Sequence, residues 1–287
     1  MVTLSPVANP SAPQHHIVDE LIVERAPRLA ASTFWPVTRP VLNALLGYDK
    51  ARRMADAIAP MGGQAALDYV ADLLALKVEV EGLERVPTKG AVITVSNHPT
   101  GIADGVAVYD ALKRVRRDLI FYANADARRV APGFDDVLIP VELNAAKRSR
   151  EATRLTLQRT TQVLEAGEAL VTFPSGRLAR VRANKVLTDE PWQPSPISLA
   201  RKFHAPIVPI HVDGPWSFWF HLFDRFSGEL RDITLFHELL NKRGQRFKLV
   251  VGEPIDGEAV PGEPAEAIKA LQHYVEFELG AGRTLFG

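Results

Sequence analysis

The segment from Ala91 to Gly105 reads Ala-Val-Ile-Thr-Val-Ser-Asn-His-Pro-Thr-Gly-Ile-Ala-Asp-Gly. An apolar, β-branched run leads straight into Asn97-His98-Pro99, a tight loop with Gly101 follows, and Asp104 opens a helical stretch. Imidazole titrates closest to neutral pH of all side chains, and a carboxylate that accepts its Nδ1–H leaves Nε2 free as a base. The spacing lets Asp104 fold back across one loop to do this. A carboxylate at a helix start also serves as an N-cap, and it has lone pairs enough for both tasks.

Three further segments carry unusual residues. Phe173-Pro174-Ser175-Gly176-Arg177 follows an apolar run. A Gly-containing turn at a strand end exposes backbone N–H groups, and Arg177 adds a planar fork of donors suited to phosphate or carboxylate. With Arg180, Arg182 and Lys185 close behind, it also reads as a solvated basic loop. Lys147, Arg148, Arg150 and Arg154 crowd the start of a helix expected over Lys147–Glu165. Cations there oppose the helix dipole by roughly a few tenths of a kcal/mol each. A bound anion reverses the sign; screening by solvent is the alternative. In Pro206-Ile207-Val208-Pro209-Ile210-His211, two prolines within an apolar run point to an edge strand or a bulged strand end. His211 and Asp213 would share one strand face. Together with His98 and Asp104 they admit a metal-dependent hydrolase.

The elements that must position these residues fall into two parts. Residues 15–76 carry helical apolar stripes broken at Pro27, Gly47 and Gly62-Gly63. From Lys77 the pattern alternates. Strands are expected over Lys77–Glu81, Ala91–Ser96, Asp118–Ala123, Val137–Val141, Ala169–Phe173, Pro206–Val212 and Phe247–Val251. Helices are expected over Asp104–Val115, Lys147–Glu165, Pro196–His204 and Pro264–Leu279. This predicts an α/β fold: a mixed sheet with parallel pairs flanked by helices over residues 77–287, a helical extension over 15–76 and a loose tail over 1–14. Ligands gather at the carboxyl ends of such strands, where His98 and Arg177 fall.

Composition narrows the class. The chain has 287 residues, 46% hydrophobic and 24% charged, as a globular protein with a sizeable core has. It has no cysteine, which excludes disulfides, thiolate metal sites and a thiol nucleophile. Lys+Arg and Asp+Glu are both 34, so there is no basic surplus for nucleic acid. No apolar run reaches the roughly 18–20 residues of a membrane span, and no signal peptide is recognisable. The expected location is cytoplasmic, peripheral on the inner face of the cell membrane. Two segments could dock there: the stripe Phe34, Trp35, Val37, Val41, Leu42, Leu45 and Leu46, and the run Pro215–Phe223, with five aromatics in nine residues. The alternative for both is core.

Taken in order, the blocks Asn97-His98…Asp104, Val137–Val141 leading to Lys147–Arg150, Phe173–Arg177 and Ile207-Val208-Pro209-Ile210 resemble the lysophospholipid and glycerol-phosphate acyltransferase superfamily. The resemblance spans roughly Val78 to Pro254. Five residues separate His98 from Asp104 where the common pattern has four, which is similar to a hemolysin-related subgroup. Ser175 stands where the family has Glu, and Arg177 comes one place early. The resemblance implies a 1-acylglycerol-3-phosphate acyltransferase-like reaction, with a lysophospholipid or glycerol-phosphate acceptor. The donor would be acyl-CoA or acyl-carrier protein, with no resident cofactor or metal. It implies His98 as general base, Asp104 as its orienting partner, and Asn97, Lys147, Arg148, Arg150, Ser175, Gly176 and Arg177 as substrate-binding residues. A lipid-binding protein without activity is a further alternative, although it would not need the His–Asp pair.

Overall fold

The computed structural model describes residues 15–142, 149–181, 186–216, 220, 223 and 226–287. The expected tail at 1–14, and Lys147, Arg148, Arg182 and Lys185, lie outside the described residues.

Five helices precede the sheet: α1 (Ile17–Arg25), α2 (Pro27–Ala30), α3 (Trp35–Leu45), α4 (Tyr48–Ile58) and α5 (Gly63–Leu74). The strands of the main sheet are β1 (Lys77–Glu81), β2 (Val92–Ser96), β3 (Leu119–Asn124), β4 (Leu138–Val141), β5 (Ala169–Thr172), β8 (Ile207–Asp213) and β9 (Arg246–Val251), with a small hairpin of β6 (Arg180–Val181) and β7 (Leu187–Thr188) between them. Helices α6 (Ile102–Leu112), α7 (Asp126–Val130), α8 (Arg150–Glu165) and α9 (Ser195–Phe203) lie along the way, and the last helix, Pro264–His273, continues as π-type turns through Leu279.

The sheet order is β1-β9-β8-β2-β5-β3-β4. Strands β8, β2, β5, β3 and β4 run parallel, whereas β9 is antiparallel to β8 and carries β1 with it. The centre is read directly from side chains. All residues of Val92–Ser96 are buried, as expected of a strand covered on both faces. The edge strand Lys77–Glu81 alternates exposed and half-buried residues. One face packs on α1, α4, α5 and α6, through Val18, Leu21, Met54, Val70, Leu74 and Ala107. The other packs on α8, α9 and the last helix, through Leu164, Trp192, Ile197 and Leu271. Helices α1, α4 and α5, before β1, therefore share a core with the sheet.

Two features differ from the sequence reading. Strand β8 is central, between β9 and β2, despite Pro209. The sheet tolerates it because Pro209 stands opposite Gly252, just past the end of β9. Its carbonyl accepts the Gly252 N–H at 2.9 Å, so the missing donor falls where the ladder stops. Helix α8 begins at Arg150 and not at Lys147, because Ser149 caps it, its Oγ accepting the Ala152 N–H.

At the amino ends of the strands, the buried Arg116 donates to both oxygens of Asp118 and to the carbonyls of Pro87, Gly90 and Gly167. The rigid fork ties the segments entering β2, β3 and β5 together. This fixes the frame whose opposite end holds His98.

Candidate active site

His98 lies two residues past Ser96, the last residue of β2, at the carboxyl end of the central strand. Its neighbour Asn97 is buried. The Asn97 amide donates to the Val212 carbonyl at 2.9 Å and accepts the Val212 N–H at 2.7 Å. Asn97 thus continues the β2–β8 ladder through its side chain, with both ends of its amide on backbone.

The loop then turns at Gly101, which has φ of 85° and would press a Cβ to 2.9 Å from Leu178. Both constraints require glycine. Helix α6 starts at Ile102, so Asp104 is its third residue and not its N-cap. It still caps from inside. Its fully buried carboxylate accepts the N–H groups of Thr100 and Gly101 at 2.8 and 2.9 Å and the Thr100 hydroxyl at 2.5 Å. The same carboxylate lies 3.0 Å from His98 Nδ1. The approach is at ion-pair distance but off-axis, so Nδ1 is a buried nitrogen without an aligned hydrogen bond. Asp104 thus caps the helix from inside and stands beside the imidazole, and the extra loop residue does not keep the carboxylate away from the ring. On its other side the imidazole rests on Phe173, with ring centres 4.5 Å apart.

Strand β5 is the neighbour of β2, and it delivers the second block beside His98. Phe173-Pro174-Ser175-Gly176 form a β-turn, closed by the Gly176 N–H on the Phe173 carbonyl at 2.9 Å. Proline at its second position presets φ. Gly176 has φ of 61°, and the Ser175 hydroxyl donates to the Arg177 carbonyl at 2.8 Å. Ser175 shapes this turn and is nearly buried. Arg177 is exposed, with no side-chain partner among the described residues.

Not all the expected residues converge. Arg150 opens α8, after edge strand β4, at the same end of the sheet. In the sheet order β4 is three places from β2, a lateral offset of about 14 Å. Lys147 and Arg148 lie outside the described residues. The hydrolase constellation also separates. His211 Nδ1 contacts the Val275 carbonyl at 2.8 Å, and Gly280 abuts its ring, so this side chain packs against the last helix.

One carboxylate escaped the sequence reading. Asp189, in the loop after β7, is 4% exposed and accepts the His98 backbone N–H on both oxygens, at 3.1 and 3.2 Å. Burial pushes its pKa up to about 7, against the opposing effects of the Trp192 hydrogen bond and of His98. No local motif marks it; only Trp192, three residues on, hints that the loop returns to the core.

Residues 77–213 match the family model described as Acyltransferase. A lyso-glycine lipid O-acyltransferase of Phocaeicola vulgatus is 27% identical over 218 residues, covering 71% of this chain and 75% of the relative. A lyso-glycine lipid O-acyltransferase of Bacteroides thetaiotaomicron is 28% identical over 220 residues, covering 71% and 77%. Among solved structures, the 1-acyl-sn-glycerophosphate acyltransferase PlsC of Thermotoga maritima aligns over 94% of this chain and 99% of its own, with 16% identity and a TM-score of 0.45.

Proposed function

From the match of residues 77–213 to the acyltransferase family model, we propose that the protein moves a fatty acyl group from a thioester to the hydroxyl of a lyso-lipid. The observation that carries this reading is His98 itself: Nδ1 against the buried Asp104, and Nε2 without a protein partner among the described residues. In the proposed reaction Nε2 takes the acceptor's hydroxyl proton as the oxygen attacks the thioester carbonyl. Asp104 stabilises the imidazolium, the carbon–sulfur bond breaks, and the proton passes to the departing thiolate. An ester and a free thiol result. Ser175 lies in a Pro-Ser-Gly turn, unlike a nucleophile elbow, so no acyl-enzyme is invoked.

Arg177 is the proposed anchor for the acceptor's anionic headgroup. A lysophospholipid offers phosphate, and a lyso-glycine lipid with an amide-linked glycine offers a carboxylate; a guanidinium receives either. Acyl-CoA or acyl-carrier protein would be the donor. Labelled acyl-CoA incubated with the purified protein and a panel of both acceptor types tests the reading. An acylated product with at least one acceptor supports it, and no product with any sinks it. Arg177→Ala should raise the KM of the preferred acceptor by about tenfold or more, since a hydrogen bond to a charged group contributes roughly 1.5–3 kcal/mol. An unchanged KM would shift the anion site toward Lys147, Arg148 and Arg150.

We further propose that the enzyme works at the inner face of the cell membrane, approached from the cytoplasm. No helix among the described residues is long and apolar enough to cross a membrane. Helix α3 and its entry nevertheless leave Phe34, Val37, Val41 and Leu45 exposed by 73, 73, 57 and 68%. Their spacing puts them on one helix side. Of the aromatic run, Trp216 is exposed and Phe220 buried, while residues 217–219, 221 and 222 lie outside the described residues. Val18 and Leu21 of α1, 0 and 1% exposed, belong to the main core, so the proposed anchor is confined to α3 and its entry. The test is therefore Val37→Asp with Val41→Asp. Full burial of such a side chain contributes about 1.5–3 kcal/mol, so binding to anionic vesicles should weaken by tenfold or more. Activity on a soluble short-chain acceptor should persist. Equal binding by the variant and the parent would remove α3 from the account.

A further inference from the structure

Both backbone groups of His98 are held by the segment that follows β5. Its carbonyl accepts the Ala179 N–H at 2.9 Å, and its N–H is shared between the two oxygens of Asp189. Asp189 is itself fixed. Trp192 Nε1–H donates to Oδ2 at 2.9 Å, and the Asp189 N–H donates to Glu276 Oε1 at 2.7 Å. Glu276 stands in the π-type turns after the last helix. Gln272, one turn earlier, accepts the Trp192 N–H at 3.1 Å and donates to Glu276 at 3.3 Å. Trp192 belongs to the core on the sheet face opposite α6. The imidazole is thus approached by a carboxylate from the α6 side, while its own peptide is gripped from the other layer.

We infer that Asp189 is a positioning residue for the base, holding the His98 peptide so that the ring keeps its orientation between Asp104 and the acceptor. The inference rests on the reading of His98 as that base. A carboxylate suits the place because it only accepts. The His98 N–H and Trp192 Nε1–H both converge on it, and Oδ2 serves both. An ordinary loop anchor could be met by one oxygen. Here both oxygens lie within hydrogen-bond distance of one peptide N–H, and the group is taken almost wholly out of water to achieve it. Asparagine in this place turns an NH₂ toward one of the two donors, so one contact becomes a donor facing a donor.

The test compares Asp189→Asn and Trp192→Phe with the parent for kcat, acceptor KM, melting temperature and hydrogen exchange at the His98 amide. Misplacement of a catalytic group by about 1 Å costs on the order of 100-fold. Asp189→Asn should therefore lower kcat by about tenfold or more, leave acceptor KM within about twofold, and speed exchange at the His98 amide. Trp192→Phe, which keeps an aromatic ring but removes one anchor of the carboxylate, should move kcat and exchange the same way by less. A purely structural role would lower the melting temperature and leave kcat of the folded protein unchanged; that result overturns the inference, as does lost kcat with the His98 amide still protected. If Asp189→Asn does not fold, Trp192→Phe decides by the same criteria. If the parent transfers no acyl group, the proposed function fails separately, and exchange alone decides: a His98 amide as protected in the variants as in the parent overturns the positioning role.

Discussion

Replacing His98 with alanine should lower kcat for acyl transfer by about 10²–10⁴-fold, the usual contribution of a general base, while the fold survives. The structure explains why fold and activity separate here. The loop is held through the His98 backbone, by Asp189 and Ala179, and alanine keeps both bonds. What is lost is the contact with Phe173 and a half-buried ring, at about 0.5–1.5 kcal/mol beyond area burial. Circular dichroism and a melting curve check the fold, and steady-state kinetics check the loss. A folded His98→Ala protein with near-parental kcat would end the proposed mechanism.

Asp104→Asn should behave differently, because in the proposed mechanism this carboxylate serves chemistry and structure together. It accepts two loop N–H groups and the Thr100 hydroxyl, and it faces His98 Nδ1. An amide must turn its NH₂ toward one of these partners, leaving a buried donor unsatisfied at roughly 1–3 kcal/mol. It also carries no charge to stabilise the imidazolium. We expect kcat to fall by about 100-fold or more together with a clear drop in melting temperature. The double variant with His98→Ala should be scarcely less active than His98→Ala alone, since two groups acting as one unit do not add. Lost stability with retained kcat would reduce Asp104 to its helix-capping role. Fully additive losses would mean that the two residues act separately.

How far the sequence could be read follows from the range of the interactions. Val92–Ser96 and Lys77–Glu81 were legible because strand patterning is local: one run is rich in β-branched residues, the other alternates charged and apolar ones. The His98–Asp104 approach was legible for the same reason, since it spans a single loop. Pro209 misled, because a proline argues against a central strand unless the partner strand is known to end at Val251. The bonds of Asn97 were not legible, because their partner, Val212, is distant in sequence. The helical stripes of residues 15–76 read alike because apolar spacing alone cannot divide Val18, which is buried, from Val37, which is exposed. Asp189 was invisible on both counts: it has no motif, and it meets His98 across 91 residues.

The central claim is that His98 activates the acceptor hydroxyl for direct attack on a thioester. The most direct test is the stoichiometry of thiol release against ester formation, measured with acyl-CoA, with and without a lyso-lipid acceptor, alongside the intact mass of the protein. The account predicts one thiol for each ester formed, no release above background without acceptor, no acyl adduct on the protein, and loss of both products in His98→Ala. Thiol release that needs no acceptor, a protein mass increased by one acyl group, or balanced turnover by His98→Ala would contradict it.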